Sequence, residues 1–267
     1  FFDFSAHNSV WHISCDDSLV TDLNRWVDNK TDGMISSLLN QPPTDRTMLY
    51  LVNAVCFDAK WQEPYEKSDI EQGAAFTAAD GTRQTADLLW SKESVYLSDD
   101  NTTGFMKYYD GGRYAFVALL PSEGVSIADY VAGLTGGKLH ALLNEHRYGT
   151  VEAAIPRFTA SSSLELNDAL KAMGVTDAFD ASRADLRAMG GAPNDQLYVS
   201  GVLHKTYLSL DENGTKAAAV TAVVTDAASA EPPEVHRVVL DRPFVYMIVD
   251  THANLPLFLG TVTQMNG

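Results

Sequence analysis

The sequence predicts a mixed α+β domain with a large share of β-sheet. The chain has 267 residues, and 45% of them are hydrophobic, which is enough to bury a core. Residues 48–57 and 114–121 are almost wholly apolar runs of strand length, and two further apolar runs, 244–250 and 256–262, predict a hairpin near the carboxyl end. No repeat, charge block or Pro/Gly-rich linker divides the sequence, so we predict a single domain over residues 1–267.

The first half of the chain predicts a helix followed by buried strands. The helix has an apolar face at helical spacing and a plausible stop at Gly33; the face is formed by Leu19, Leu23, Trp26 and Val27. The run "MLYLVNAVCF", residues 48–57, lacks polar alternation. We therefore expect it to be a strand covered on both faces, and we expect the same of residues 114–121.

The second half predicts two helices and several strands. A helix is expected at about residues 127–143, and a strand at 151–158. Ser162 and Glu165 have the spacing of a capping box for a helix at 164–173 that ends at Gly174. Strand signals then dominate, beginning with residues 196–210.

Charge and cysteine content narrow the classes of partner. The formal net charge is -16, so a nucleic acid or an anionic membrane would be repelled, and partners should be proteins or small molecules. No apolar run approaches the roughly 20 residues of a membrane span. Cys15 and Cys56 are too few for a disulfide framework or a zinc site, and Cys56 is expected to be a buried, inert thiol.

The sequence lacks the common catalytic motifs. It has no G-x-S-x-G elbow and no H-E-x-x-H, and His140 and His146 are too far apart to share a helix face. Residues 133–141 have the wrong glycine spacing for a phosphate loop, with Leu139 where Ser or Thr should be. We predict no enzyme, no catalytic residue, no metal and no cofactor.

A long run of small residues stands out at residues 211–229, "DENGTKAAAVTAVVTDAAS". From composition alone it could be a flexible surface loop. Its alternation also fits a strand, with small or β-branched residues on one face and Lys216 on the other: Thr215, Ala217, Ala219, Thr221, Val223 and Thr225 lie on the first face. Such a strand could enter a sheet without displacing large side chains. Glu212, Asn213 and Gly214 would then be the hinge.

Two segments carry a likeness to known proteins: "HKTYLSLDENGTKAAAVT" (204–221) and "EVHRVVLDRPFVYMIVDTHANLPLFLGTV" (234–262). The likeness extends to residues 51–65, 155–179 and 184–186. Together these segments resemble the serpin family of serine protease inhibitors. The resemblance implies a serpin-like multi-sheet domain with a mobile reactive-centre loop at residues 212–234. It also implies that the amino-terminal third is missing. Asp58 and Ala59 replace the Lys and Gly usual in the family, at positions expected not to touch the hinge.

The resemblance further implies inhibition by a suicide-substrate mechanism. A target protease cuts the loop and forms an acyl-enzyme, and the freed strand inserts into the sheet. Roughly fifteen residues at about 3.3 Å each would carry the protease about 50 Å. The hinge set implied by the resemblance is Glu212, Gly214, Thr215, Ala217, Ala218 and Ala219, and its small side chains favour a true inhibitor.

The position of the scissile bond stays open between two registers. Counting from Glu212 by the family's usual spacing gives Ala228-Ser229, whereas the "PPEV" motif at 232–235 suggests Ser229-Ala230. No Lys or Arg lies between Lys216 and Arg237, so an elastase-like or subtilisin-like protease is expected rather than a trypsin-like one. Cleavage after Asp226 is a lesser option.

Other expectations come from the same resemblance. Asn53 and His204 match positions that meet beneath the opening of the central sheet, and Trp61 matches an aromatic residue at the top of that gap; all three are expected to gate the sheet. A monomer in the extracellular space is expected. Independently of the resemblance, a glycan on the Asn213 sequon would crowd the run at residues 211–229, which favours an unglycosylated protein from a prokaryotic source. The rival hypothesis is a non-inhibitory binding or structural protein on the serpin scaffold, or an inactive fragment whose loop is only a substrate.

Overall fold

The computed structural model describes residues 17–44, 47–189, 197–215 and 234–265. The helices are α1 (Asp17–Lys30), α2 (Ile127–Ala132), α3 (Gly136–Asn144) and α4 (Asn167–Ala172). The strands are β1 (Tyr50–Cys56), β2 (Ala59–Lys60), β3 (Ile70–Thr77), β4 (Arg83–Asp99), β5 (Thr102–Tyr108), β6 (Tyr114–Pro121), β7 (Arg147–Pro156), β8 (Phe158–Glu165), β9 (Gly201–Leu210), β10 (Gly214–Thr215), β11 (Val235–Val239), β12 (Phe244–Asp250) and β13 (Leu255–Val262). Within these ranges no helix has both the length and the apolar character needed to cross a bilayer.

The described residues fall into two compact units. The larger unit comprises 58–159 together with 209–265, and the smaller comprises 17–57 together with 160–208. The chain therefore passes from the smaller unit to the larger one inside β9, between positions 208 and 209, immediately before the predicted hinge.

The larger unit is built on an eight-stranded sheet. Its strand order is β11-β7-β4-β5-β6-β12-β13, and β3 pairs with the long strand β4 beside this path. Every residue of β6 and β12 is buried, because these central strands are apolar apart from Asp250 at the end of β12 and are covered on both faces. Leu139, Leu142 and Leu143 of α3 pack on one face of these strands. The predicted hairpin at 244–262 is confirmed, since β12 and β13 pair antiparallel from Phe244↔Val262.

The helix expected at 127–143 is instead two helices. Ser126 caps the first helix through a hydrogen bond from Asp129 N, and that helix ends at Gly133. Thr135 then accepts a hydrogen bond from Lys138 N and starts the second helix. The prediction of one continuous helix was wrong because Gly133 ends the first helix and Thr135 caps the start of the second, within three residues.

The smaller unit contains α1 and a three-stranded sheet in the order β1-β9-β8. The predicted first helix is confirmed, and its Val27 packs with Ile35 and Leu38. Strand β1 pairs parallel with β9 along its full length, from Tyr50↔Gly201 onward. The predicted coverage of both faces of this strand is wrong for the described residues, because Leu51 remains 42% exposed.

The capping box at Ser162 and Glu165 is also wrong. Both residues lie in β8, which runs to Glu165, and the helix begins only at Asn167. Tertiary hydrogen bonds explain the difference, since the Asn167 side chain donates to Ser200 O at 3.1 Å and accepts from Val202 N at 2.9 Å. These bonds tie the start of the helix to the neighbouring strand. The predicted end is correct: Gly174 lies just past the helix with φ of +98°.

Candidate functional site

The predicted hinge is a tight turn that docks on a short strand. Asp211 accepts a hydrogen bond from Asn213 N at 2.7 Å through its side chain, and its own backbone N donates to Gly214 O at 3.0 Å. An Asp at the start of a turn commonly makes this contact. Gly214 and Thr215 then form β10, which pairs antiparallel with β2 through Gly214↔Lys60 and Thr215↔Ala59.

Position 214 requires glycine in this arrangement. Gly214 has φ of +146°, and a Cβ built on it would lie 2.3 Å from Ala59 O and 2.7 Å from Lys60 Cα. Both neighbours are backbone atoms and cannot move aside without shifting β2. The sequence predicted Gly214 as a hinge glycine, and the structure adds a close approach to the strand it docks on.

Trp61 contacts the hinge with both its indole and its backbone. Its Nε1 donates to Asp211 O at 3.0 Å, and its backbone N donates to Asn213 O at 3.1 Å. The indole stacks on the ring of Tyr109, with 4.4 Å between centroids and 13° between planes. The two rings thus form a buried platform beneath the turn. The gating role predicted for Trp61 stays a prediction.

Tyr109 carries this platform directly to the hinge. Its hydroxyl lies 2.9 Å from Thr215 Oγ1, and both side chains are buried. Burial raises the pKa of Tyr109 above its ordinary value, although the hydrogen bond with Thr215 opposes that effect. The phenol therefore stays protonated and available as a hydrogen-bond donor. Sequence reasoning missed Tyr109 because its partner is 106 positions away and no local motif marks it.

An ion pair with little solvent exposure packs against the platform. Lys107 Nζ lies 3.0 Å from Glu93 Oε1, 4.4 Å from the ring centroid of Tyr65 and 5.4 Å from that of Trp61. Tyr65 in turn donates its backbone N to Glu212 O at 3.0 Å. Burial, followed by the nearby Glu93 charge, raises the pKa of Tyr65 well above its ordinary value. Lys107, Glu93 and Tyr65 were not predicted from the sequence.

Glu212 is also held through its side chain. Arg157 Nη2 lies 2.8 Å from Glu212 Oε2, and Arg157 Nη1 lies 3.1 Å from Asp87 Oδ2. All three side chains are about one-third exposed, so solvent screens the pairing. Arg157 thereby links the hinge to β4.

The expectation that Asp58 and Ala59 do not touch the hinge is wrong for Ala59. Ala59 is buried and is the register partner of Thr215. Its carbonyl oxygen is also the atom closest to a Cβ placed on Gly214. The sequence could not show this contact because it depends on the pairing of two-residue strands far apart in the chain.

In the smaller unit, Asn53 and His204 are register partners on β1 and β9. Asn53 is exposed and His204 is half-buried. Among the described residues, Nδ1 of His204 is buried without a hydrogen-bond partner. Burial lowers the pKa of His204 below its ordinary value. The structure thus places the two residues side by side, and their gating role stays a prediction.

The remaining predicted loop positions lie outside the described residues. These are Ala217, Ala218, Ala219, Ala228, Ser229 and Ala230. Cys56 ends β1 and is half-buried rather than fully buried as expected. Within the described ranges no group of three or more His, Cys, Asp or Glu side chains is arranged to hold a metal ion.

Comparison with known proteins identifies one family. Residues 7–265 match the family model described as Serpin (serine protease inhibitor). The chain is 33% identical to Iris of Ixodes ricinus over 256 residues, covering 93% of this chain and 66% of that protein. It is 31% identical to the leukocyte elastase inhibitor of Homo sapiens over 248 residues, covering 89% of this chain and 64% of that protein. The chain therefore spans roughly two thirds or less of the length of these relatives.

The solved structures agree. The thermophilic serpin Tengpin in its native state superposes with a TM-score of 0.84 at 41% identity, covering 94% of this chain and 64% of that one. The same protein in its latent state gives a TM-score of 0.75, covering 97% of this chain and 68% of that one. Human thyroxine-binding globulin in complex with thyroxine gives 0.79 at 26% identity, covering 95% of this chain and 66% of that one.

Two expectations about origin and location need revision. The inference of an extracellular location from the family is wrong. The similar proteins include the leukocyte elastase inhibitor and serpin B11 of Homo sapiens. They also include a protein named intracellular coagulation inhibitor 2, from Tachypleus tridentatus. These curated relatives are animal proteins and give a prokaryotic source no support.

Proposed function

This chain belongs to the serpin family, and on that premise we propose that it inhibits a serine protease as a suicide substrate. The observation that carries the proposal is the docked hinge: Gly214 and Thr215 rest on β2, while β1 and β9 pair directly with each other. No strand lies between β1 and β9 along their described register. This is the arrangement that an inhibitor needs before its loop is cut.

The topology supports strand insertion. Strand β9 leads through the hinge turn into the loop, so a segment folding back along β9 would run antiparallel to it. Because β1 is parallel to β9, the same segment would be antiparallel to β1 as well. Two antiparallel ladders would replace one parallel ladder, which adds backbone hydrogen bonds and gives a more stable pairing per residue.

The side chains at the start of the loop are compatible with that movement. Thr215, Ala217 and Ala219 would share one face of the inserted strand and are small enough to be buried without displacing neighbours. Thr215 is already buried in the docked state. Insertion can therefore be fast, as it must be to outrun deacylation.

The chemistry is supplied by the target. The protease nucleophile attacks the carbonyl of Ala228 or, in the other register, Ser229, and the peptide bond to the next residue breaks as the acyl-enzyme forms. Insertion then drags the tethered protease along the sheet. Displacing its catalytic groups by about 1 Å can cost ~100-fold in rate, so deacylation stalls. The inhibitor acts as a monomer and contributes no catalytic residue.

The proposed target is an elastase-like or subtilisin-like serine protease, because the loop offers small residues at both candidate bonds. The likeness to leukocyte elastase inhibitor, a protein named for that protease class, supports the choice. A lack of Lys and Arg between Lys216 and Arg237 disfavours trypsin-like pockets.

The test is a denaturing gel after the protein is mixed with pancreatic elastase and, separately, with trypsin. We expect an SDS-resistant band at the summed mass with elastase, and mass spectrometry of the released peptide decides between Ala228 and Ser229. In the A217R variant the band should give way to cleaved inhibitor, because a charged side chain slows insertion. K216A changes the outward face and is the matched control, which should still trap elastase. Clean cleavage of the unmodified protein without the band refutes the proposal.

A second candidate is a non-inhibitory binding protein on the serpin scaffold. It is favoured by the similarity to thyroxine-binding globulin, which was solved in complex with thyroxine. Heating after loop cleavage separates the two candidates. An inhibitor gains stability sharply when its cut loop inserts, whereas a protein that does not switch unfolds at an unchanged temperature.

A further inference from the structure

An open cleft of about 570 Å³ lies in the larger unit, on the side of β4 and β5 where Glu93 and Lys107 meet. Most of the residues that line it have polar or charged side chains, and both signs of charge are present. Lys92, Lys107, Glu63 and Glu93 supply its charges, and Gln62 and Thr150 are among its neutral side chains. Nothing in the proposed inhibitory mechanism uses this cleft.

Lys107 is the unusual member of the lining. Its side chain is only 4% exposed, and within the described residues its one hydrogen-bond partner is Glu93 Oε1 at 3.0 Å. An ammonium group carries three protons. Its other close neighbours are the faces of Tyr65 and Trp61, which attract a cation but offer no oxygen acceptor. The ammonium therefore has protons left to donate to the oxygen atoms of a ligand in the cleft.

We propose that this cleft binds a small anion through Lys107 and that the bound anion loosens the hinge. Carboxylate and sulfate oxygens match an under-coordinated ammonium. Lys92 is exposed at the same cleft and adds a second positive charge. Because Glu63 and Glu93 balance the two lysines, the anion binds by sharing the Lys107 ammonium with Glu93 rather than by meeting an excess of positive charge.

The route from the cleft to the hinge is short and continuous. Lys107 lies against the rings of Trp61 and Tyr65, and the backbone N–H groups of those two residues bind Asn213 O and Glu212 O. A charge-assisted bond to an anion is stronger than a contact with an aromatic face. An anion that draws the ammonium into the cleft therefore weakens the support of both rings. The loosening of the hinge rests on the proposed function, whereas the binding of the anion by Lys107 does not.

The binding test is a calorimetric titration of the full protein at constant ionic strength. Succinate is the ligand in one arm and inorganic sulfate in the other. The two arms distinguish an organic acid from an inorganic anion. We expect saturable binding in at least one arm. K107M should weaken it at least tenfold, whereas E93Q should strengthen it about fivefold, because the competing carboxylate is gone.

The matched control is K138M. Lys138 also pairs with a carboxylate, Asp99, at 3.0 Å and lies over an aromatic ring, that of Tyr130, at 5.3 Å, but it does not line the cleft. Its substitution should leave binding unchanged. If K107M fails to fold because Glu93 is left buried and unpaired, the double variant K107M/E93Q removes both charges and should fold without binding the anion.

Absence of saturable binding in both arms overturns the proposal, as does equal binding by K107M or K107M/E93Q and the unmodified protein. The hinge effect is read by hydrogen exchange without any protease. The amides of Trp61 and Tyr65 should exchange at least threefold faster with the anion bound. Binding with no change in these amides overturns the coupling. Failure to trap elastase would instead count against the inhibitory function and leave the binding result intact.

Discussion

The hydroxyl groups of Tyr109 and Thr215 lie 2.9 Å apart in a site where both residues are buried. Tyr109 forms the buried platform together with Trp61, and Thr215 is the last described residue of the hinge. The contact gives each buried hydroxyl a hydrogen-bond partner, and a buried hydroxyl without a partner is costly.

Tyr109→Phe removes one member of this pair and leaves the Thr215 hydroxyl buried. We expect the free energy of unfolding to fall by about 1–3 kcal/mol and the uncleaved loop to be released from β2 more readily. Urea denaturation measures the first effect. Tyr148→Phe is the control, because Tyr148 is 78% exposed and should give no change. An unchanged midpoint for Y109F would show that the hydrogen bond does not hold the hinge.

Gly214→Ala tests the close approach of the hinge to β2. A Cβ would meet Ala59 O at 2.3 Å, so either the β10–β2 pair breaks or β2 shifts. We expect a loss of roughly 2–4 kcal/mol in the free energy of unfolding. Gly137→Ala adds the same atom in open space within α3, and should leave stability unchanged or raise it by up to about 1 kcal/mol. Equal stabilities for the two variants would contradict the geometry.

Glu212→Gln tests the ion pair between the hinge and Arg157. Because the side chains are about one-third exposed, the pair should contribute no more than about 1 kcal/mol, and this contribution should shrink at high salt. A double-mutant cycle with Arg157→Gln, measured by thermal unfolding at low and high salt, gives the coupling energy. A coupling that does not change with salt would rule out a screened surface pair.

His204 predicts a pH dependence of stability in the smaller unit. Burial holds its pKa below the ordinary value of 6.5, so the unfolded chain takes up a proton more readily than the folded one. The contribution of His204 to the free energy of unfolding is therefore fully present above pH 6.5. It is lost as the pH falls through 6.5 toward the lower pKa of the folded state. His204→Gln should flatten the stability profile below pH 6.5. Parallel profiles for both proteins would show that His204 does not titrate differently on folding.

Local patterns in the sequence predicted the parts of the fold that depend on nearby residues. The hairpin at 244–262 was correct because its two apolar runs are separated by a short turn and pair with each other. The capping box at Ser162 and Glu165 failed because pairing within a sheet, and the contacts of Asn167 with Ser200 and Val202, outweighed the helix signal. Propensity is a weak prior where tertiary contacts compete.

The candidate site divides in the same way. Gly214 and Thr215 were predicted because the hinge has a recognisable run of small residues. Tyr109, Lys107 and Arg157 were not, because each lies far from the hinge in the sequence and has an ordinary local context. Long-range partners of this kind are fixed by strand pairing, which a single sequence does not display.

The parallel pairing of β1 with β9 has a consequence for the order of folding. The paired residues Tyr50 and Gly201 are separated by more than half of the chain, whereas β4, β5 and β6 meet through short connections. Closing the longer loop costs more chain entropy, so contacts of that kind form late. The antiparallel meander of β4, β5 and β6 can therefore assemble first, and the parallel pair of β1 and β9 closes after it.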